Sequence, residues 1–531
     1  MGNTIFSFFP ILLLIWLMAK KNGMPSNKAL PLSALVLYFI ALIVFQYDPT
    51  LIHANVLAGL LVAWTPILII AGAIFLFKTM EATGSIAMVK QWLNSVTENK
   101  IAQLMIVGWA FPFLIEGASG FGTPAAIAAP VLVGLGYKPV KVAILALIMN
   151  TVPVSFGAVG TPTWFGFSAI DLNEMEVLTI AFKSATIHSI VAVFIVTLAL
   201  LQLVGFKSIL KNSGYIILSV ASTVIPYLIV SGYNYEFPSL IGGATGLIAS
   251  VILAQKNIGL TSGDAAIKVD LKHQKAVTGQ QLLKATFPLW GTILVLVLTR
   301  IPQLGIKQLI TAGSPALEIP LGMLGDLSIS AALVIGLENI FRTPQEWYHM
   351  LLYVPSLIPF GLVSLITFWV FGTPKRDIKA VFGTTVQQMI KPTYALLGAL
   401  VFVNLMMMGG ESSAVNTIGQ VLASATGEYW KFFASYLGAL GSFFSGSATI
   451  SNLTFAGIQN SIALETNLDR TTILALQSVG GSFGNMVCIN NIVAVTSVLA
   501  LIGKEGFILK RTALPMIIYG LLTGVIAVML Y

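Results

Sequence analysis

The stretch Glu116-Gly117-Ala118-Ser119-Gly120-Phe121-Gly122-Thr123-Pro124 lies between two apolar arms, residues 101–115 and 125–135. Neither arm reaches the ~20 apolar residues of a bilayer-spanning helix. Three glycines and a proline between the arms disfavour one continuous helix, since glycine weakens a helix interior and proline breaks it. Lys100 precedes the first arm, and Lys138 and Lys141 follow the second; all three share one membrane face if the arms double back. The pattern predicts a re-entrant hairpin, 101–137, with its tip at mid-depth. Non-helical backbone at that depth is tolerated only inside protein or beside a watery cavity. A tip carrying Glu116, Ser119, Gly120 and Thr123 is therefore a candidate site. The competing structural explanation is a pair of kinked helices packed through small residues.

The rest of the chain supplies the membrane context. Of 531 residues 56% are hydrophobic and 9% charged, against about 25% charged in soluble chains. Apolar runs recur at 5–19, 32–45, 56–77, 178–204, 215–230, 240–253 and 351–371. The expected fold is an all-α polytopic membrane protein of about 12 transmembrane helices plus two re-entrant hairpins. The run 5–19 lacks a basic start and a small-residue cleavage site and is followed by Lys20 and Lys21, so it reads as a retained helix. The net charge of +8 sits in short loops and forms no basic stripe with interleaved aromatics, which argues against nucleic-acid binding. The single Cys488 excludes an intrachain disulfide and a cysteine-cluster metal site. A phosphate loop, a G-x-S-x-G elbow and an H-E-x-x-H motif are all missing, which argues against an ATP-driven pump or an enzyme; no cofactor is expected.

Loop charges set an orientation. Lys20, Lys21 and Lys28 put the first loop in the cytoplasm, as do Lys256, Lys268, Lys272 and Lys275 for the loop 255–281. Asp171, Glu174, Glu176, Glu411, Glu428, Glu465 and Asp469 fall in loops read as external, and both termini are expected outside a bacterial inner membrane. Residues 301–349 fit least well: 322–337 is apolar yet carries Asp326, and reads as a short or partly inserted segment.

Internal matches complete the architecture. Pro66–Ala73 resembles Pro392–Ala399 at an offset of 326, Ile144–Leu147 matches Ile473–Leu476 at 329, and Ser155-Phe156-Gly157 matches Ser482-Phe483-Gly484 at 327. At the same offset, Ser445-Gly446-Ser447-Ala448-Thr449-Ile450-Ser451-Asn452 forms a second tip between arms 430–444 and 453–464. The first hairpin opens toward basic loops and the second toward acidic ones, which makes the halves inverted-topology repeats, an arrangement of secondary transporters with midplane sites. The expected domains are an N-terminal helix and loop (1–30), a first repeat (31–204), connecting helices and loop (205–349), and a second repeat (350–531) with hairpin 430–464.

The second arm of each hairpin starts at the tip, so its free N–H groups and positive dipole end suit a small carboxylate. The hydroxyls of Ser119, Thr123, Ser447, Thr449 and Ser451 and the amide of Asn452 add donors, and the helix breaks add Asn150 and Ser155, with Ser482 and Asn485 opposite. A hydroxyl bonded back to its own helix is the ordinary role of any one of these. Glu116 has no acidic counterpart, because Ser445 holds the equivalent place. A carboxyl at membrane depth is a functional candidate, here a proton carrier. His188, inside 178–204, is a second candidate proton site or a satisfied core histidine. Coupling to Na⁺, another organic anion as substrate, and an anion channel remain open at this stage.

The segments Glu116-Gly-Ala-Ser-Gly-Phe-Gly-Thr-Pro-Ala-Ala-Ile-Ala-Ala-Pro130 and Val152-Pro-Val-Ser-Phe-Gly-Ala-Val-Gly-Thr-Pro162 strongly resemble the bacterial L-lactate permease family, and Ser445–Asn452 and Gly480–Asn485 agree with it. The resemblance covers essentially the whole chain. It implies a plasma-membrane symporter that takes up L-lactate, and often D-lactate or glycolate, with protons. Its partners would be a small carboxylate, H⁺ and membrane lipid; oligomeric state leaves no signal in the sequence.

Overall fold

The computed structural model describes the whole chain except residues 1, 21–22, 121–122, 262–276, 301–303 and 502; at 2, 3, 19, 94, 123, 126 and 356 only the backbone is described. Lys21, Lys268, Lys272, Lys275, Phe121 and Gly122 thus lie outside the described residues. The chain is a helical polytopic membrane protein divided into two compact units. One comprises Met1–Ile86 and Leu283–Leu422, the other Ala87–Leu282 and Ala423–Tyr531. Each unit takes a segment from each half of the sequence.

In the first unit the helices Ser26–Ile43, Pro49–Val62 and Trp64–Ala82 pack on the long helix Lys375–Met407. Small residues allow the close approach: a Cβ on Gly398 would lie 2.4 Å from Pro31 N, and one on Gly59 2.9 Å from Val401 Cα. Within the segment 301–349, expected to hold a partly inserted stretch, the chain from residue 316 on instead folds as a four-stranded antiparallel sheet that ends at 350. Its strands are β1 (Ala316–Pro320), β2 (Asp326–Ser330), β3 (Val334–Glu338) and β4 (Trp347–Met350), in that order. The physical reason is periodicity: Leu327 pairs with Leu337 and Ile329 with Ile335, the period of two that lines one sheet face. Leu337 and Ile340 then pack on Ala54 and Ala58.

The second unit holds both hairpins and both broken helices. The first arm is longer than its sequence predicts. Lys100–Ser119 runs for 20 residues, through a π-helical turn at Ile106–Ala110, and is buried throughout. Gly117 does not end the helix because packing needs it there: a Cβ on it would lie 2.5 Å from Leu240 N. Glu116 consequently occupies the last helical turn rather than an unwound tip. The second arm, Thr123–Gly134, folds back onto the first. Tyr137 closes the open end, its hydroxyl donating to the Lys100 carbonyl (3.2 Å) and Gln103 Oε1 (3.1 Å).

The second hairpin is built with plainer signals. Trp430–Ser445 ends at Gly446, left-handed at φ +73°, and Ala448–Glu465 starts from the cap Ser447, whose Oγ accepts from Ile450 N. Its open end is closed by Trp430 Nε1 donating to Gln459 Oε1 (2.7 Å) and Gln459 Nε2 donating to the Ala434 carbonyl (2.8 Å). Two broken helices follow the hairpins: Pro139–Met149 with Val152–Trp164, bent by 46°, and Arg470–Val487 with Ile489–Val498, bent by 41°. By length and composition nine helices among the described residues can cross a membrane, or eleven with each bent pair as one span, beside the dozen expected. The difference includes two apolar helices that stay short, Thr4–Met18 and Leu357–Phe371.

Candidate functional site

The first helix break carries the least regular backbone. After the 3₁₀ turn Val152–Phe156, Ala158, Val159 and Gly160 adopt left-handed φ of 44°, 58° and 70° in succession. L-residues, and β-branched ones above all, enter this region at a cost of about 1–2 kcal/mol each, which persists where neighbouring structure enforces it. The carbonyls freed by the turn are taken up locally: Val159 O accepts from Trp164 Nε1 (3.1 Å) and Ala158 O accepts from the Thr161 hydroxyl. The tip of the first hairpin meets this turn, since a Cβ on Gly120 would lie 3.1 Å from Ala158.

Between this break, the two tips and the second break lies a small, half-open cavity. Glu116, Gly120, Asn150, Gly157 and Ala158 line it together with Ser447, Ala448, Thr449, Asn485 and Asn491. Glu116 is 2% exposed, and its Oε2 accepts from Asn150 Nδ2 at 3.0 Å. Asn485 Nδ2 donates to the Gly481 carbonyl (2.8 Å), while its Oδ1 accepts from Asn491 Nδ2 (2.9 Å). The first N–H groups of Ala448–Glu465 belong to cavity-lining residues, Ala448 and Thr449. Such N–H groups lack intrahelical acceptors and sit at the positive end of the helix dipole. The cavity wall thus contains both one buried carboxyl and one anion-attracting helix end.

Behind the cavity runs a buried chain of side chains. Ser155 Oγ lies 2.7 Å from Ser482 Oγ, 3.0 Å from Ser478 Oγ and 2.9 Å from His188 Nε2, and His188 Nδ1 lies 2.6 Å from the Tyr519 hydroxyl. One assignment satisfies the chain. Ser482 donates to the Ser478 carbonyl (3.1 Å) and accepts from Ser155, which accepts from His188 Nε2–H, while Nδ1 accepts from Tyr519. His188 is neutral in this arrangement.

The family model for L-lactate permease matches residues 3–531. The chain belongs to the L-lactate permease family. Within that family it is 49% identical over 530 residues to a candidate L-lactate permease of Haemophilus influenzae, covering 100% of this chain and 99% of the other. It is 27% identical to the L-lactate permease of Escherichia coli K12 (92% of this chain, 88% of the other) and 25% identical to the glycolate permease of the same strain (88% and 84%).

Among the residues singled out from the sequence of this L-lactate permease family member, Glu116, Gly120, Asn150, Ser447, Thr449 and Asn485 line the cavity. Others lie outside its wall. Ser119 donates to the Ile115 carbonyl of its own helix (3.0 Å), and Ser451 donates to Gly438 O (2.6 Å), bracing the second hairpin. Asn452 Nδ2 donates to Pro162 O (2.8 Å) and so ties that hairpin to the first break. Ser155, Ser482 and His188 belong to the chain behind the cavity. The side chain of Thr123 lies outside the described residues. Sequence reasoning passed over Gly157, Ala158 and Asn491 as wall residues, and Tyr519 as the partner of His188. Gly157 had one available signal, its match to Gly484 in the repeat.

Proposed function

We propose that this protein is a secondary transporter that takes up L-lactate and related 2-hydroxymonocarboxylates, D-lactate and glycolate among them, with protons across a bacterial inner membrane. The observation that carries the reading is the cavity itself. It brings the buried carboxyl of Glu116 and the N-terminus of Ala448–Glu465 into one wall, in a chain whose family is that of L-lactate permeases. The substrate carboxylate is held by the N–H groups of Ala448 and Thr449 with the hydroxyls of Ser447 and Thr449. Glu116 takes the proton, and its neutralisation removes the repulsion between two carboxylates sharing one small space.

The same arrangement supports our reading of two inverted repeats. Ser155 and Ser482, 327 positions apart, touch at 2.7 Å, as two copies of one residue do only near the axis relating them. Both termini are assigned to the external face.

Uptake of labelled L-lactate into proteoliposomes under an imposed proton gradient, an imposed Na⁺ gradient or neither tests the reading. Accumulation should follow the proton gradient, and Glu116→Gln should abolish that accumulation while the protein stays folded in the membrane. Accumulation that follows Na⁺ instead overturns the coupling, and unchanged pH-dependent accumulation in Glu116→Gln removes Glu116 from it.

A further inference from the structure

One polar atom in the cavity wall lacks a partner. Asn150 is 7% exposed; its Nδ2 donates to Glu116 Oε2 at 3.0 Å, and its Oδ1 has no hydrogen-bond partner among the described residues. The orientation of the amide is set by chemistry. The ionised carboxylate only accepts, as does the carbonyl oxygen of the protonated acid, so the NH₂ end faces Glu116 Oε2 and the carbonyl end is turned away from it. Asn150 ends the helix Pro139–Met149, immediately before the break, and lines the cavity that Ala448 and Thr449 also line.

The repeat supplies a control for this arrangement within the same chain. The position equivalent to Asn150 at the offset of 327 is Gln477, also a buried amide. Gln477 has both ends satisfied: Oε1 accepts from Gln459 Nε2 (2.9 Å), and Nε2 donates to Ser451 Oγ (3.1 Å) and Asn452 Oδ1 (3.3 Å). The second half therefore uses this amide to hold its hairpin. The first half, with Glu116 as the amide's one partner, leaves the carbonyl oxygen buried and unpaired on a residue that lines the cavity. A buried acceptor left unmade is costly. An unpaired acceptor in a ligand cavity calls for a ligand donor.

We propose that Asn150 reads the 2-hydroxyl of the substrate, accepting its proton at Oδ1 while the substrate carboxylate lies at the N-terminus of Ala448–Glu465. The inference rests on the transport reading above and adds to it the residue and atom that separate a 2-hydroxy acid from its deoxy counterpart. Glu116 then acts on both ligands: it carries the proton, and through Asn150 Nδ2 it keeps the hydroxyl acceptor pointed at the substrate. Such a site rejects the molecule lacking the hydroxyl because Oδ1 stays buried and unpaired, with its water displaced by a methylene.

The test is competition in lactate counterflow, which needs no imposed proton gradient. Labelled L-lactate exchanges in proteoliposomes against unlabelled L-lactate, propionate (the same acid without its hydroxyl) or 3-hydroxypropionate. Wild-type protein should take propionate and 3-hydroxypropionate about 10- to 100-fold more weakly than L-lactate, the range set by one unmade buried hydrogen bond. Asn150→Leu, similar in size but without acceptor, also loses the bond to Glu116 that every substrate shares, so it should weaken L-lactate more than propionate by that factor and the preference collapses. Equal competition by propionate and lactate in the wild type overturns the inference, and this arm stands even where Asn150→Leu fails to insert. A variant that weakens both acids equally overturns it too. Failure to exchange L-lactate at all would instead sink the transport reading on which the inference rests.

Discussion

Gly157 meets Glu116 so closely that its lack of a side chain is part of the site. A Cβ there would lie 2.6 Å from Glu116 Oε1, well inside contact distance, so Gly157→Ala must move the carboxyl or the break. Overpacking of this kind costs about 1–3 kcal/mol. Because the clash falls on the proposed proton carrier, proton-driven lactate accumulation should drop at least about tenfold while the protein stays monodisperse in detergent. Accumulation at the wild-type level would show that the carboxyl can shift without consequence. At this scale the sequence was partly legible. Glu116, Asn150, Ser447, Thr449 and Asn485 stood out as polar residues inside apolar runs, and all of them reached the cavity wall. Ser119 and Ser451 carried the same signal, yet their hydroxyls donate to backbone carbonyls, and residue type alone does not distinguish the two uses. Gly157 and Ala158 were hidden because they act through backbone shape.

Among the elements, the hairpins announced themselves through chain breakers and flanking lysines, which report where a helix cannot continue. The length of the first arm did not, because Gly117 is retained for its contact with the helix Pro238–Gln255, a tertiary fact. The sheet at 316–350 was obscured by total hydropathy, although its alternation was present in the sequence. The helix Glu174–Leu200 is joined to the first break through His188 and Ser155, and to Glu505–Leu530 through Tyr519. We propose that His188, bonded at both nitrogens, fixes Ser155 and the turn that follows. Tyr519→Phe leaves Nδ1 buried without a partner, a loss of about 1–3 kcal/mol. The variant should unfold at a lower temperature and show a reduced maximal rate, while the pH profile of uptake keeps its midpoint. A shifted midpoint would return His188 to the proton path.

Across the whole molecule, the two halves of the sequence are pinned together where the helices Glu174–Leu200 and Arg470–Phe483 begin. Arg470 grips Glu176 at 2.7 and 2.6 Å and also donates to the Asp171 carbonyl (3.0 Å). Lys183 bonds Asp469, Thr471 (3.0 Å) and Thr472 (2.8 Å). Partial burial pushes the Asp469 carboxyl up, but the hydrogen bonds from Lys183, Thr472 and Thr471 outweigh it and hold the group well below the ordinary carboxylate range. A carboxyl whose pKa is lower folded than unfolded binds fewer protons in the native state. Its stabilisation is therefore complete above the unfolded value of 3.8 and is lost as the pH falls through the lower native value. Asp469 also caps Arg470–Phe483, its side chain accepting from Thr472 N (3.0 Å), so protonation loosens the helix start together with the clamp. Thermal unfolding in detergent should fall more steeply for wild-type protein than for Asp469→Asn between about pH 5 and pH 2, the gap between the two curves narrowing toward the acid end. Parallel curves over that range would mean that the ion pair with Lys183 adds nothing to the joint between the halves, leaving Arg470 and Glu176 to hold it.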